Sequence, residues 1–116
     1  MNTPKNESEI VEYILVNKEL GMKIGKTAGQ VAHCQTIIDK HFSQTEEYKY
    51  WIENAQTKII LSGNESDLIN WVNNGAIVIK DNGKTEVAPG SLTCVGFPPQ
   101  MRGKLKSLTA NLPLLK

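Results

Sequence analysis

The order of apolar segments predicts an α/β fold, a single three-layer domain with a four-stranded mixed β-sheet. Short continuous apolar runs, typical of strands buried on both faces, alternate with segments whose apolar residues recur every three or four positions. The first two connections are long enough for crossovers between parallel strands, whereas the last contains no helix and predicts an antiparallel strand. Because the strands carry no polar face, helices are expected on both faces of the sheet.

Four apolar runs are predicted as strands, and a double proline is expected to end the last of them. The runs are Tyr13–Val16, Lys58–Leu61, Ala76–Ile79 and Leu92–Phe97, followed by Pro98-Pro99.

Three helices are predicted between these strands, and a short one is expected near Lys104. The first runs from Lys26 to Phe42 and the third from Glu65 to Asn73. A capping box at Ser43–Glu46 is expected to open the second, which runs through Trp51. The residues predicted to face inward are Ala28, Val31, Ala32, Gln35, Ile38 and Phe42 in the first helix, and Leu68, Ile69 and Val72 in the third.

Composition excludes several classes of protein. The chain has 116 residues with 13 Lys+Arg against 12 Asp+Glu, a formal charge of +1, which excludes a strongly basic nucleic-acid coat. Two cysteines, Cys34 and Cys94, do not supply the ligands of a zinc site. No signal-peptide pattern or membrane-length apolar run is present, so we expect a cytoplasmic protein. Residues 1–9 are expected to form a disordered tail, and residues 10–116 the single domain.

The segment Gly21–Thr27 lies between a buried strand and a helix, where anions bind in α/β proteins. It does not match a phosphate-binding P-loop, since only three residues separate Gly21 from Gly25 where the motif requires four. What remains is Lys26 at the start of a helix, beside free backbone amides. A lysine there has little to pack against, so its removal is expected to cost within about half a kcal/mol of stability.

Asp81 follows the third strand and is expected at the same sheet edge as Lys26 if the strands are parallel. A carboxylate beside a lysine can orient a water molecule, although an Asp-Asn-Gly turn alone would also explain Asp81. Gln30 and His33 lie off the apolar stripe of the first helix and could face the same groove, although a lone helical histidine is more often structural.

Two stretches resemble the peptidyl-tRNA hydrolases of the archaeal and eukaryotic (second) type. One is Tyr13–Val16 with Leu20-Gly21-Met22, Gly25-Lys26, Ala28, Gln30 and Ala32-His33. The more specific one is D-x-G-x-T-x-x-x-P-G-S-x-T, which runs from Asp81 to Thr93. The usual Met-Gly-Lys-Gly-Lys of that family is replaced here by Met22-Lys23-Ile24-Gly25-Lys26.

The resemblance implies a homodimeric enzyme that hydrolyses the ester between peptide and tRNA, with no metal and no cofactor. It implies catalytic roles for Lys26, Asp81 and Thr93, with Lys26 near the carbonyl oxygen or the 3′ phosphate and Asp81 orienting water. Substrate contacts are assigned to Gln30, His33, Gly25, Ser91, Lys23 and Lys84. A basic rim of Lys18, Lys23, Lys26, Lys84 and Arg102 is expected to bind RNA.

Two alternatives stay open at this point. One is a non-catalytic module of the same fold that binds tRNA or protein through the same groove. The other, less favoured, is a nucleotide-binding domain that uses Gly21–Thr27. Turnover of peptidyl-tRNA separates the enzyme from the binding module. Mg²⁺-dependent nucleotide binding would identify the nucleotide-binding domain.

Overall fold

A computed structural model of the chain describes residues 7–81 and 90–116. The described elements are strands β1 Ile10–Asn17, β2 Lys58–Gly63, β3 Ile77–Lys80 and β4 Leu92–Met101, helices α1 Ile24–Phe42, α2 Glu46–Glu53, α3 Glu65–Asn73 and α4 Lys106–Thr109, and 3-10 helices Lys18–Leu20 and Arg102–Leu105.

The strands form one mixed sheet in the order β2-β1-β4-β3. β1 and β2 are parallel, whereas β4 runs antiparallel to both of its neighbours, β1 and β3. β1 and β3 therefore point in the same direction, and their carboxyl ends meet the start of β4 at one edge of the sheet. We call this the carboxyl edge.

Helices cover both faces of the sheet, as predicted. On one face, α1 and α2 contribute Cys34, Ile38, Tyr48 and Trp51 to a buried cluster. On the other face, α3 packs with the segment that contains Leu105. The sequence pattern thus predicted the α/β class, the mixed four-stranded sheet and the single layered domain.

The inward face of α1 agrees with the prediction in part. Ile38 is buried and Val31 and Phe42 pack against the same cluster, as predicted. Cys34 is also buried, whereas Ala28 and Ala32 are exposed. The helix approaches β4 closely at Gly96, where an added Cβ would lie 2.7 Å from Cys34 Sγ. A side chain at residue 96 would therefore clash with Cys34, and the glycine allows the Cys34 side of α1 to pack against β4.

The cap of α2 also differs from the expectation. The side chain of Thr45 accepts a hydrogen bond from the Tyr48 amide, so Thr45 is the N-cap, and Ser43 is the C-cap of α1. The predicted capping box at Ser43 is therefore wrong. A threonine two positions later supplies the same acceptor.

The bounds of α3 are as predicted, and its buried stripe is confirmed in part. Leu68 is buried and Val72 packs against the core, as predicted, whereas Ile69 is exposed and Trp71 is buried in addition. The Trp71 ring lies edge-on to Tyr13, with 6.5 Å between ring centroids, and its Nε1 donates to Leu108 O at 3.1 Å. The indole therefore joins α3 to the sheet and to the C-terminal segment.

The two prolines do not end β4, which continues through them to Met101. β3 pairs with β4 only as far as Gly96, so no described strand needs an N–H from Pro98 or Pro99 on that side. On the other side, the register with β1 shifts between Val11 and Tyr13. Proline is compatible with a strand at such an irregularity.

A buried carboxyl group lies in β1, one residue before the predicted strand Tyr13–Val16. Glu12 is fully buried, and neither carboxylate oxygen has a hydrogen-bond partner among the described residues. Lys58 Nζ lies 3.7 Å from its Oε1. Burial raises the pKa of Glu12 to about 7, against the lowering effect of Lys58.

The two ends of the described chain pack against the sheet. Ser62 N donates to Pro113 O and Leu115 N donates to Ile60 O, both at 2.9 Å, so the C-terminal residues lie along β2. Near the other end, Arg102 Nη1 pairs with Glu9 Oε1 at 3.0 Å. Of the helices in residues 7–81 and 90–116, none is long and apolar enough to cross a membrane.

Candidate active site

The first part of the candidate site is the start of α1, just beyond the carboxyl end of β1. Gly21 reverses the chain after the first 3-10 helix with a φ of 58°, a conformation that favours glycine. α1 then begins at Ile24, and its first intrahelical hydrogen bond runs from Thr27 N to Lys23 O at 2.9 Å. The preceding amides lie at the positive end of the helix dipole.

Lys26 and Asp81 form an ion pair at the carboxyl edge. Lys26 Nζ donates to Asp81 Oδ1, and the side chains are only 9% and 1% exposed. Asp81 directly follows β3, and its backbone is fixed by Asp81 N donating to Ser91 O at 2.9 Å and Gly90 N donating to Asp81 O at 2.7 Å. These hydrogen bonds place Asp81 directly after β3, and the lysine reaches its carboxylate from the helix.

Thr93 and Gln30 form a second polar contact at the same edge. Thr93 Oγ1 lies 2.7 Å from Gln30 Oε1 and 3.0 Å from Ile79 O. A hydroxyl has one proton to donate, so both contacts are satisfied when Thr93 donates to Ile79 O and the Gln30 amide is turned to donate its NH₂ to Thr93. Thr93 is fully buried, and Gln30 is partly exposed.

The position of Thr93 comes from an irregularity in β4. Ile79 pairs with Cys94 and Lys80 pairs with Leu92, so Thr93 is an extra residue of β4 with no partner in β3. Such a bulge redirects a side chain. Here the Thr93 hydroxyl meets α1 at Gln30, whose backbone carbonyl also accepts from Cys94 Sγ at 3.4 Å.

Asn17 is a residue of this edge that the sequence analysis did not single out. It is almost fully buried at the end of β1, where its Nδ2 donates to Leu92 O at 2.9 Å and its Oδ1 accepts from Glu19 N at 3.0 Å. An asparagine directly after a buried strand was the available signal. Asn17 ties the end of β1 to the start of β4, next to Thr93.

The other predicted site residues lie in different surroundings. Lys23 and Gly25 are exposed at the start of α1, and Ser91 takes part through its carbonyl oxygen. His33 is exposed on α1. Lys84, like Asn82, lies outside the described residues.

The predicted basic rim is divided between two ends of the sheet. Lys18 and Lys23 are exposed near the carboxyl edge. Arg102 follows Met101, which pairs with Ile10 at the start of β1, so it lies at the opposite end. Arg102 is therefore far from Lys18 and Lys23, because β4 runs antiparallel to β1.

The segment Gly21–Thr27 does not form a phosphate-binding loop. Lys26 is the third residue of α1 and its ammonium is paired with Asp81, whereas a P-loop lysine is directed at phosphates. Within residues 7–81 and 90–116, no group of three His, Cys, Asp or Glu side chains could hold a metal ion.

Two cavities flank different ends of the sheet. One of about 390 Å³ adjoins the carboxyl edge and is lined by Asn17, Lys18, Met22 and Thr27 among others. A larger one, of about 730 Å³, is lined by Ile10, Trp51 and Thr57 at the far end. We place the candidate chemistry at the carboxyl edge, where Lys26 and Asp81 are paired, and not in the larger cavity.

A preorganised cation beside a carboxylate is suited to ester hydrolysis. An ammonium that faces a carbonyl oxygen stabilises the negative charge that develops there, and a nearby carboxylate can orient the attacking water. The fold and this site define a single-domain α/β protein with a Lys–Asp pair at the carboxyl edge of its sheet.

Comparison with known proteins assigns the chain to a family. The family model described as Peptidyl-tRNA hydrolase PTH2 matches residues 10–115. A protein from Methanococcus vannielii named Peptidyl-tRNA hydrolase is 33% identical over 111 residues, covering 88% of this chain and 96% of the relative. Proteins of the same name from Saccharolobus islandicus and Sulfurisphaera tokodaii are 32% and 34% identical over 115 residues, covering 88% of this chain and 96% and 95% of each relative. The chain belongs to the PTH2 family of peptidyl-tRNA hydrolases.

Proposed function

We propose that the Lys26–Asp81 pair is the catalytic centre with which this chain, as a peptidyl-tRNA hydrolase, cleaves the ester between peptide and tRNA. The observation that carries the proposal is the pair itself, which joins a helix start and a strand end in a nearly solvent-free position. Desolvation strengthens the interaction of such a group with developing charge. Family membership supplies the substrate class.

The reaction needs only water as co-substrate. The water oxygen bonds to the ester carbonyl carbon, and the bond from that carbon to the ribose oxygen breaks. One proton of the water ends on the ribose hydroxyl, and the other is released to solvent as the new carboxyl group ionises. The products are therefore tRNA, a free peptide carboxylate and a proton.

Lys26 and Asp81 have complementary roles in this reaction. One N–H of Lys26 donates to Asp81, which leaves two for the carbonyl oxygen as it becomes negative. Asp81 fixes the ammonium and accepts from the attacking water.

Thr93 and Gln30 hold the neighbouring wall of the site. Because Thr93 is locked between Ile79 O and the Gln30 side chain, the amide of Gln30 has a fixed position at the carboxyl edge. There it contacts the substrate or the water. Thr93 is thus proposed to complete the catalytic network and Gln30 to bind substrate.

Substrate contacts are proposed around the start of α1. Gly25 lets the acceptor end approach closely, since a Cβ there would meet nothing within 4 Å. Lys23 and Lys18 provide positive charge for the tRNA phosphates, to which Lys84 is proposed to add. His33 and Ser91 are proposed as further contacts.

We further propose that the enzyme acts without a cofactor, in the cytoplasm and as a homodimer, and that residues 10–116 form one domain. Of these, the absence of a cofactor follows most directly from the chemistry, because water and a charged pair suffice for ester hydrolysis.

The experiment that tests the function is turnover of a purified peptidyl-tRNA by the whole chain in the presence of a chelator. Release of free peptide and intact tRNA over many turnovers is expected. Binding of peptidyl-tRNA without release of peptide would instead identify a non-catalytic binding module.

A further inference from the structure

The outer edge of β3 leads directly into the catalytic pair. β3 pairs with β4 on one side, and no other described strand lies beside it. Asp81 is the residue after its last member, Lys80. A ligand that lies along this edge would reach Lys26 and Asp81 at its end.

The main-chain groups of β3 show which residues face that edge. The carbonyl of Ile79 faces Thr93 of β4, and the amide and carbonyl of Asp81 pair with Ser91 and Gly90. Main-chain groups alternate in direction along a strand. The extra residue of the bulge, Thr93, lies on β4, so the alternation along β3 is not interrupted. The N–H and C=O groups of Val78 and Lys80 are therefore directed outward.

The chemistry of the substrate fits this edge. The peptide part of peptidyl-tRNA carries an N–H and a C=O at every residue, whatever its side chains, and its ester carbon is at its C-terminus. For that carbon to reach Lys26, an extended peptide must run in the same direction as β3.

We propose that the outer edge of β3 binds the peptide part of the substrate as an added parallel strand, through the main-chain groups of Val78 and Lys80. This inference rests on the proposed function. Main-chain pairing gives affinity without selecting a sequence. The side chains of Val78 and Lys80 lie on the same face of the sheet and are exposed, so no described helix covers β3 on that face.

The test measures binding of uncleavable ligands to the whole chain. The parent ligand is an unmethylated penta-alanyl peptide joined by an amide to 3′-amino-3′-deoxyadenosine. Three derivatives each carry one N-methyl group, on the second, third or fourth residue from the adenosine. A paired strand uses alternate residues, so methylation at alternate positions is expected to weaken binding by about fivefold to tenfold, and at the positions between by less than about twofold. Equal affinities throughout, equal losses throughout, or no binding of the unmethylated ligand would overturn the proposal.

A pair of variants locates the strand on the protein. Val78→Pro removes the outward N–H, and Val78→Ala shortens the side chain but keeps that N–H. Val78→Pro is expected to bind the unmethylated ligand about fivefold to tenfold more weakly, with Val78→Ala close to wild type. Equal binding by the two variants contradicts pairing at Val78. If Val78→Pro does not fold, the methylation series on the wild type still decides.

Turnover of peptidyl-tRNA, measured in parallel, separates this inference from the proposed function. Normal turnover with a flat methylation series overturns only the strand pairing. An alternating series without turnover overturns only the catalytic assignment.

Discussion

Lys26 of α1 donates to the carboxylate of Asp81 across 55 positions of the chain, and neither side chain has more than a tenth of its surface exposed. The burial of the pair indicates that it stabilises the fold, in addition to the catalytic role proposed above. From the sequence, only a role in chemistry was expected, because a lysine at a helix start has little to pack against.

Lys26→Ala is expected to destabilise the fold as well as to abolish most of the activity. Removing one partner of a buried pair leaves the Asp81 charge without its cation, at a cost on the order of 3 kcal/mol. This replaces the expectation of half a kcal/mol. Hydrolysis should fall by about a hundredfold at temperatures where the variant is folded.

Chemical denaturation of Lys26→Ala, Asp81→Asn and the double variant measures the coupling. Removing both charges should restore part of the stability but none of the activity. A free energy of unfolding for Lys26→Ala equal to that of the wild type would contradict the structural role.

Thr93→Val is expected to lower both stability and turnover. The substitution keeps the shape of the side chain but removes the hydroxyl between Gln30 and Ile79 O, at a cost of about 1–3 kcal/mol for unsatisfied buried groups. Thr93→Ser keeps the hydroxyl and is the matched control. If both variants lose turnover equally, the hydroxyl is not what positions Gln30.

Gly25→Ala is expected to leave folding intact and to lower hydrolysis by about tenfold or more. A methyl group there meets no protein atom within 4 Å, so stability should stay constant or rise slightly. The same methyl would occupy the space through which substrate approaches Lys26. Gly29→Ala, one turn further along α1 and equally open, is the control and should keep its activity. Equal activities for the two variants would show that substrate does not approach at Gly25.

Glu12 makes the stability of the fold depend on pH. Its pKa is raised by burial from 4.5 to about 7. Below pH 4.5 the carboxyl group is protonated in both states; as pH rises toward 7, the unfolded state ionises first and stability falls. Above pH 7 the full cost is reached, roughly 3 kcal/mol at about 1.4 kcal/mol per unit.

Glu12→Gln removes this titration. Thermal unfolding should therefore show a higher Tm than the wild type at pH 8 and little difference at pH 4.5. Glu47→Gln, on α2, is the control and should not change the pH dependence. A wild-type Tm that rises between pH 5 and pH 8 relative to Glu12→Gln would contradict the raised pKa.

The sequence predicted those parts of the fold that depend on interactions between residues close together in the chain. The bounds of α3 follow from its apolar spacing and from the asparagines and glycine after it, and the antiparallel β4 follows from a short return without a helix. The burial of Cys34 was missed because it packs against Gly96, which is more than fifty residues away in the chain. The continuation of β4 through Pro98 was missed because it depends on how far β3 extends.

The candidate site was likewise predictable only in part. Lys26 and Asp81 each follow a buried strand, so strand direction alone places them at one edge. A role for Thr93 was predicted only from the family resemblance. Its contact with Gln30 depends on a bulge in β4, which no local sequence pattern predicts. Asn17 was missed because its partner, the carbonyl of Leu92, is a main-chain group.

The central claim is that Asp81 acts in catalysis and does not merely begin a turn. The most direct test is single-turnover hydrolysis of peptidyl-tRNA at saturating enzyme by Asp81→Asn, which is isosteric and keeps the turn hydrogen bonds but removes the charge. Asp39→Asn, on the exposed part of α1, is the matched control and should hydrolyse at the wild-type rate. The account predicts a loss of at least about a hundredfold for Asp81→Asn with tRNA binding unchanged, and a rate within about threefold of wild type would contradict it.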